Sequence, residues 1–111
     1  MNNVGISYNY AQFFDKLEDA LIDQLISVNV TSLTKITKIV LPGMVAKKKG
    51  IILNVGSAAG LVPIGDPLYA VYSGTKAYVD FFSKSLHIEY AKKGVIVEVW
   101  IFSLPLLFFF F

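Results

Sequence analysis

Apolar residues recur at helical spacing from Leu17 to about Lys48, through Leu21, Leu25, Val28, Leu33, Ile36, Ile39 and Val40. The pattern predicts a long helical stretch with one apolar face. Pro42-Gly43 is expected to kink or interrupt it. Asn29 stands inside the stripe, where a polar amide is a poor helix former, and reads as a cap at a break between two helices. The period then changes. Ile51-Ile52-Leu53-Asn54-Val55 is a short apolar run that predicts a buried strand, opening into the small-residue loop Gly56-Ser57-Ala58-Ala59-Gly60. Asp66-Pro67 is a helix-start signal. Tyr72, Thr75, Val79, Phe82 and Leu86 then carry helical spacing to Lys92-Lys93-Gly94, two cations and a glycine suited to closing a helix. A helix is therefore predicted over about Pro67 to Lys93. The run Val95-Ile96-Val97-Glu98-Val99 predicts a second strand, parallel to the first and joined through that helix.

Strand, long crossover helix and parallel strand define an α/β class, and such crossovers are almost always right-handed. The expected architecture is part of a Rossmann-like, doubly wound parallel sheet, in three layers. Ile6 to Phe14 carries Tyr8, Tyr10, Phe13 and Phe14 without a clean period and predicts a loop over an apolar surface, which either lines a substrate site or, the preferred reading, simply packs.

Composition bounds the picture. A chain of 111 residues is one domain at most. Net charge is +2 with no arginine, and the lysines are scattered apart from Lys47-Lys48-Lys49, which does not suit nucleic-acid binding. That lysine run reads as solvated cations at a helix C-terminus. Without cysteine there are no disulfides or thiolate metal sites, and no clue to redox compartment. His87 is the single histidine, expected to face outward near the helix end, so histidine triads and multi-histidine metal sites are set aside. No metal is expected. Residues 100–111, from Trp100 to the terminal Phe run, form a hydrophobic tail too short for a membrane span of about 20 residues. They are set apart from a catalytic portion at 1–99.

Tyr72 and Lys76 are four residues apart and share a helix face. An isolated tyrosine has a pKa of about 10, and a fixed ammonium nearby favours its phenolate. A tyrosine so placed can act as general acid toward a carbonyl oxygen receiving a hydride, or as base for the reverse oxidation. With six tyrosines and ten lysines in the chain, roughly 0.5 such pairs arise by chance, and many helical pairs of this kind do nothing chemical. Ser57 adds weight, because in parallel sheets ligands bind beyond the carboxyl ends of the strands. It is the only serine between the strand and Tyr72, and its hydroxyl suits holding a carbonyl.

Asn2-Asn3-Val4-Gly5, Asn29 in Val28-Asn29-Val30, Asn54-Val55-Gly56-Ser57 and Tyr72-Ser73-Gly74-Thr75-Lys76 resemble, in order, the motifs of the short-chain dehydrogenase/reductases, over a match running to about Val99. Asn3 to Tyr8, Val40 to Val45 and Tyr78 to Ser83 are similar to the estradiol 17-beta-dehydrogenase 12 group of very-long-chain 3-oxoacyl-CoA reductases and hydroxysteroid dehydrogenases. The resemblance implies NADPH-linked reduction of a lipid ketone, an acyl-CoA or a steroid, on proteins held at the membrane of the endoplasmic reticulum. It implies that Tyr72 is the proton donor and that Lys76 tunes it while contacting the nicotinamide ribose. It also implies that Ser57 orients the carbonyl, that Asn29 anchors a relay water, that Asn2 ties central strands together and that Gly5 admits the cofactor. The chain departs from the pattern in the longer Ser57 to Tyr72 spacing and in Gly56, where a second serine is common.

No glycine-rich phosphate turn occurs in the sequence, since Gly56 to Gly60 precedes a loop and not a helix start. The isolated chain is therefore expected to be inactive and to bind NADPH poorly. Two further readings stand beside the reductase: a non-catalytic remnant that associates with related subunits through its long helices as a homodimer, and a small membrane-associated protein using the Phe-rich tail.

Overall fold

The computed structural model describes residues 1–102. Strands β1 (Gly50–Ser57) and β2 (Val95–Phe102) pair in parallel, Gly50 opposite Val95 and Ser57 opposite Phe102. Both outrun the apolar runs that predicted them, because ladder hydrogen bonds are made by the backbone and continue through Gly56 and Trp100 without regard to side chain. β2 thus enters the stretch set apart as a tail; its remainder lies outside the described residues. Asn2 adds a parallel bridge to β1, donating its N–H to Leu53 and accepting from Val55.

Helices α1 (Asp19–Ile26), α2 (Ser32–Lys47) and α3 (Ala70–Tyr90) complete the framework. One core joins Leu41 of α2 to Ile52, Val95 and Val97 of the sheet, with Met44, Val45, Leu86 and Tyr90 packed against it. α2 and α3 therefore share one face of the sheet. Ile51, Ile96 and Trp100 on the opposite face stay exposed, so the described residues form two of the three layers expected. A second core gathers Tyr8, Leu17 and Leu25 with Ile6, Leu21, Ile22, Tyr69, Val71 and Tyr72. Through Tyr8 the N-terminal loop packs as predicted, although Tyr10, Phe13 and Phe14 remain exposed.

Three local expectations are corrected. At Asn29 the helical path does not break; it widens into a π-helical turn, Ser27–Thr31, between α1 and α2. Of the two outcomes expected at Pro42, interruption does not occur: α2 continues to Lys47 while Leu41 sits in the core beside the missing rung. α3 starts at Ala70, three residues after the predicted Pro67 start. Leu68 is left-handed at φ +68° and is the third residue of a turn in which the Tyr69 N–H bonds the Asp66 carbonyl at 3.1 Å. The partner for an orphan amide of the first turn is instead the Tyr8 hydroxyl, which accepts from the Val71 N–H at 3.0 Å. At the other end α3 tightens into a 3₁₀ turn, Ala91–Lys93, and Gly94 closes it at φ +82°. Any side chain there would run into the Lys48 carbonyl. His87 is exposed as expected, with Nδ1 accepting from the Val97 N–H at 3.3 Å.

The buried stripe of the first two helices is Leu25, Asn29, Leu33, Thr37 and Leu41, while Ile36, Ile39 and Val40 face outward. On α3 the buried positions are Thr75, Lys76, Val79, Asp80 and Ser83, and Phe81 and Ile88 are exposed. Polar residues occupy the inner faces because they are paired there. Asn2 Nδ2 donates to Asn54 Oδ1 at 2.8 Å, Asn54 Nδ2 donates to Ser83 Oγ at 2.8 Å, and Ser83 donates to the Val79 carbonyl at 2.7 Å.

Candidate active site

At the carboxyl end of β1 a cavity of about 250 Å³ is lined by Asn3, Gly5, Ile6, Ser7, Val55, Gly56, Ser57, Tyr72 and Lys76. β1 delivers Ser57, α3 delivers Tyr72 and Lys76, and the N-terminal loop supplies the facing wall. This is the end of the sheet where parallel folds bind ligands. Four of the predicted site residues, Gly5, Ser57, Tyr72 and Lys76, share it.

Lys76 is only 8% exposed, and its Nζ donates to the Val55 carbonyl at 3.2 Å. The ammonium lies 5.9 Å from the centre of the Tyr72 ring. Burial pushes the Lys76 ammonium below the ordinary lysine pKa, because desolvation penalises its charge. One acceptor serves a group with three donors among the described residues. Gly5 lies against it: a Cβ there would come within 3.2 Å of Lys76 Nζ and 3.4 Å of Asn29 Oδ1. Ser57 Oγ accepts from the Ala59 N–H at 3.3 Å, which turns the chain out of β1 and leaves the hydroxyl at the cavity.

Asn2 and Asn29 are placed behind the cavity wall. Asn2 pairs with Asn54 across the sheet. Asn29, 2% exposed, accepts from the Ile6 N–H through Oδ1 at 2.8 Å and donates to the Ile6 carbonyl at 2.8 Å and to Thr75 Oγ1 at 3.0 Å. Gly56, departing from the family pattern, faces Val99 and Ile101, and a Cβ there would lie 2.7 and 2.6 Å from their side chains. Sequence reasoning missed Asn3 in the wall and Gly60 beneath the helix, while Ile6 and Ser7 bring to the cavity the loop for which packing was the preferred reading. A Cβ on Gly60 would come 2.5 Å from the Lys76 carbonyl carbon. For Gly60 the sequence offered no signal beyond its being glycine.

A family model for short chain dehydrogenases matches residues 1–102. The chain belongs to the short-chain dehydrogenase family. It is 52% identical over 100 residues to the very-long-chain 3-oxoacyl-CoA reductase of Rattus norvegicus and 53% identical to that of Bos taurus. Each match covers 88% of this chain and 31% of the relative, so this short-chain dehydrogenase sequence spans about a third of the relatives' length. Among solved structures it resembles a bulky-bulky ketone specific alcohol dehydrogenase from Comamonas testosteroni, at TM-score 0.81 and 32% identity over 90% of this chain and 38% of that one. A short-chain dehydrogenase from Sphingobium yanoikuyae in complex with NADPH matches at TM-score 0.80 and 33% identity, again over 90% of this chain and 38% of that one. The family is one of oxidoreductases, and one of these solved neighbours holds NADPH.

Proposed function

We propose that the chain supplies the proton-transfer side of an NADPH-dependent reductase that converts the ketone of a lipid substrate, a 3-oxoacyl-CoA, to an alcohol. The observation that carries this reading is the convergence of Tyr72, Lys76 and Ser57 on one cavity at the carboxyl end of β1. The residues present fit the nicotinamide end of the cofactor: Gly5 leaves room beside Lys76, whose ammonium has donors to spare for a ribose hydroxyl. The bound nicotinamide supplies the hydride. Ser57 donates a hydrogen bond to the substrate carbonyl and holds it against Tyr72. Tyr72 gives its phenolic proton to the oxygen as negative charge develops there. Lys76, itself buried, stabilises the charge left on the phenolate by Coulombic attraction. Asn29 holds the cavity wall, both its side-chain donors being spent on Ile6 and Thr75. The cofactor's pyrophosphate needs contacts beyond these residues, so the chain alone is inactive. The endoplasmic reticulum membrane follows from the resemblance; no helix of the described residues is long and apolar enough to span a membrane.

The test is a chimera in which this chain replaces the segment it aligns with in the Rattus norvegicus reductase. NADPH consumption on a 3-oxoacyl-CoA should fall within about tenfold of the parent, a barrier change under about 1.4 kcal/mol. A folded chimera that binds NADPH and reduces neither a 3-oxoacyl-CoA nor a 17-ketosteroid overturns the reading. Turnover of the steroid alone moves the substrate class.

A second reading, association of two copies through the long helices, is favoured by one observation. Ile36, Ile39 and Val40 on α2 and Tyr78, Phe81 and Ile88 on α3 are exposed, on helices already linked by a 2.8 Å hydrogen bond between Thr34 and Tyr78 hydroxyls. Sedimentation of the 111-residue chain, with Phe81→Glu as the disrupting variant, decides it.

A further inference from the structure

We propose that Thr75 is a positioning residue: its buried hydroxyl locks the helical turn bearing Tyr72 and Lys76 to the opposite wall of the cavity. The inference rests on the reductase reading for its catalytic consequence, although the clamp itself is structural. Thr75 is 4% exposed and stands between the two members of the dyad. Its Oγ1 donates to the Tyr72 carbonyl at 2.7 Å and accepts from Asn29 Nδ2 at 3.0 Å. Asn29 spends its remaining donor and its acceptor on the carbonyl and N–H of Ile6, both at 2.8 Å. Ile6 is flanked by Gly5 and Ser7, and all three line the cavity.

Only one assignment of donors satisfies this network. The Ile6 N–H must face an oxygen, so Asn29 Oδ1 turns to Ile6 and Nδ2 has to find two acceptors. The Ile6 carbonyl is one. Thr75 Oγ1 is the other, and it is free to accept because its own proton is directed to the Tyr72 carbonyl. Removing that hydroxyl leaves a buried amide hydrogen with no partner, and the flipped amide would set two donors face to face at Ile6. The cost falls on the wall. Gly5 lies where a Cβ would be 3.2 Å from Lys76 Nζ, so a displacement of Ile6 moves the surface facing the ammonium while leaving the helix itself intact.

The experiment has two arms. In the 111-residue chain, amide hydrogen exchange at Ile6 is compared with that at Ile52 in the sheet, for wild type, Thr75→Val and Thr75→Ser. Thr75→Val should speed exchange at Ile6 at least about tenfold and leave Ile52 within about threefold; Thr75→Ser should behave as wild type. In the chimera with the rat reductase, Thr75→Val should lower kcat at least about tenfold with the KM for NADPH within about threefold, and Thr75→Ser should recover at least about half of kcat. An Ile6 amide unprotected in wild type, equal protection in all three chains, or a Thr75→Ser variant as damaged as Thr75→Val overturns the clamp. An intact exchange pattern in a chimera whose wild-type form lacks activity refutes the reductase reading and leaves the clamp standing.

Discussion

Lys76 and Val55, 21 residues apart in sequence, meet where α3 passes the carboxyl end of β1, with the lysine Nζ donating to the main-chain carbonyl at 3.2 Å. The contact places a cation at the carboxyl end of a parallel strand and ties the end of β1 to the first turns of α3. It also holds an ammonium where solvent reaches it poorly.

The charge of Lys76 therefore has a signature in pH. Its pKa is lowered on folding, by desolvation, so below that value the folded chain carries a penalty that the unfolded chain does not. As pH rises through the folded pKa toward the ordinary 10.5, the unfolded chain binds more protons and stability increases. Denaturant titrations across that window should show wild type gaining stability relative to Lys76→Met, which has no such group. A difference between the two chains that stays flat over the window would mean that the ammonium is not desolvated.

Two glycines test the backbone, one beneath the site and one inside α2. Gly60→Ala would set a Cβ 2.5 Å from the Lys76 carbonyl carbon and 2.6 Å from the Ala77 nitrogen, backbone atoms that cannot turn aside. A destabilisation of about 1–3 kcal/mol is expected, as for overpacking. Gly43→Ala, inside α2 with nothing within 4 Å, should stabilise by about 0.5–1 kcal/mol through helix propensity. Urea midpoints moving in opposite directions check the pair; two shifts of the same sign would contradict it.

How much of this was legible beforehand differs by residue type. The strands and the parallel crossover were readable because Ile51 to Val55 and Val95 to Val99 are apolar runs on either side of a long periodic segment. The start of α3 was not, because it depends on a left-handed Leu68 and on a hydroxyl from Tyr8, 63 residues away. The inner faces of the helices were misread for a related reason. Thr37 and Ser83 are buried by partners on other elements, and a periodicity count sees them only as polar residues. Tyr72, Lys76, Ser57 and Gly5, which share the cavity, were legible from motifs; the wall of Ile6 and Ser7 was legible only as one of two readings of its loop, since its place depends on Asn29 bonding Ile6 across the fold.

The network under the sheet carries a third prediction. Asn54 is fully buried, and its Nδ2 has Ser83 Oγ as acceptor. Ser83→Ala removes that acceptor and should cost about 1–3 kcal/mol, the usual penalty for a stranded buried donor. Thermal or urea unfolding of the chain measures it. A loss below about 0.5 kcal/mol would show that another acceptor takes over.

Tyr72→Phe in the chimera separates proton transfer from binding. Phenylalanine keeps the ring, and with it the packing of residue 72 against the Tyr8 and Leu25 cluster, but has no proton to neutralise the developing alkoxide. General acid catalysis is worth roughly 10² to 10⁴ in rate, so kcat should fall by at least that much while NADPH affinity is nearly unchanged. Lys76→Met should lower both, because the ammonium is proposed to serve the tyrosine and the ribose together, and the variant also loses the bond to Val55. Stopped-flow hydride transfer and a fluorescence titration of bound NADPH read the two quantities separately. If Tyr72→Phe keeps more than about a tenth of the parent kcat, the loss is under about 1.4 kcal/mol, too small for a proton donor, and Tyr72 with Lys76 is an ordinary helical pair in a well-packed wall.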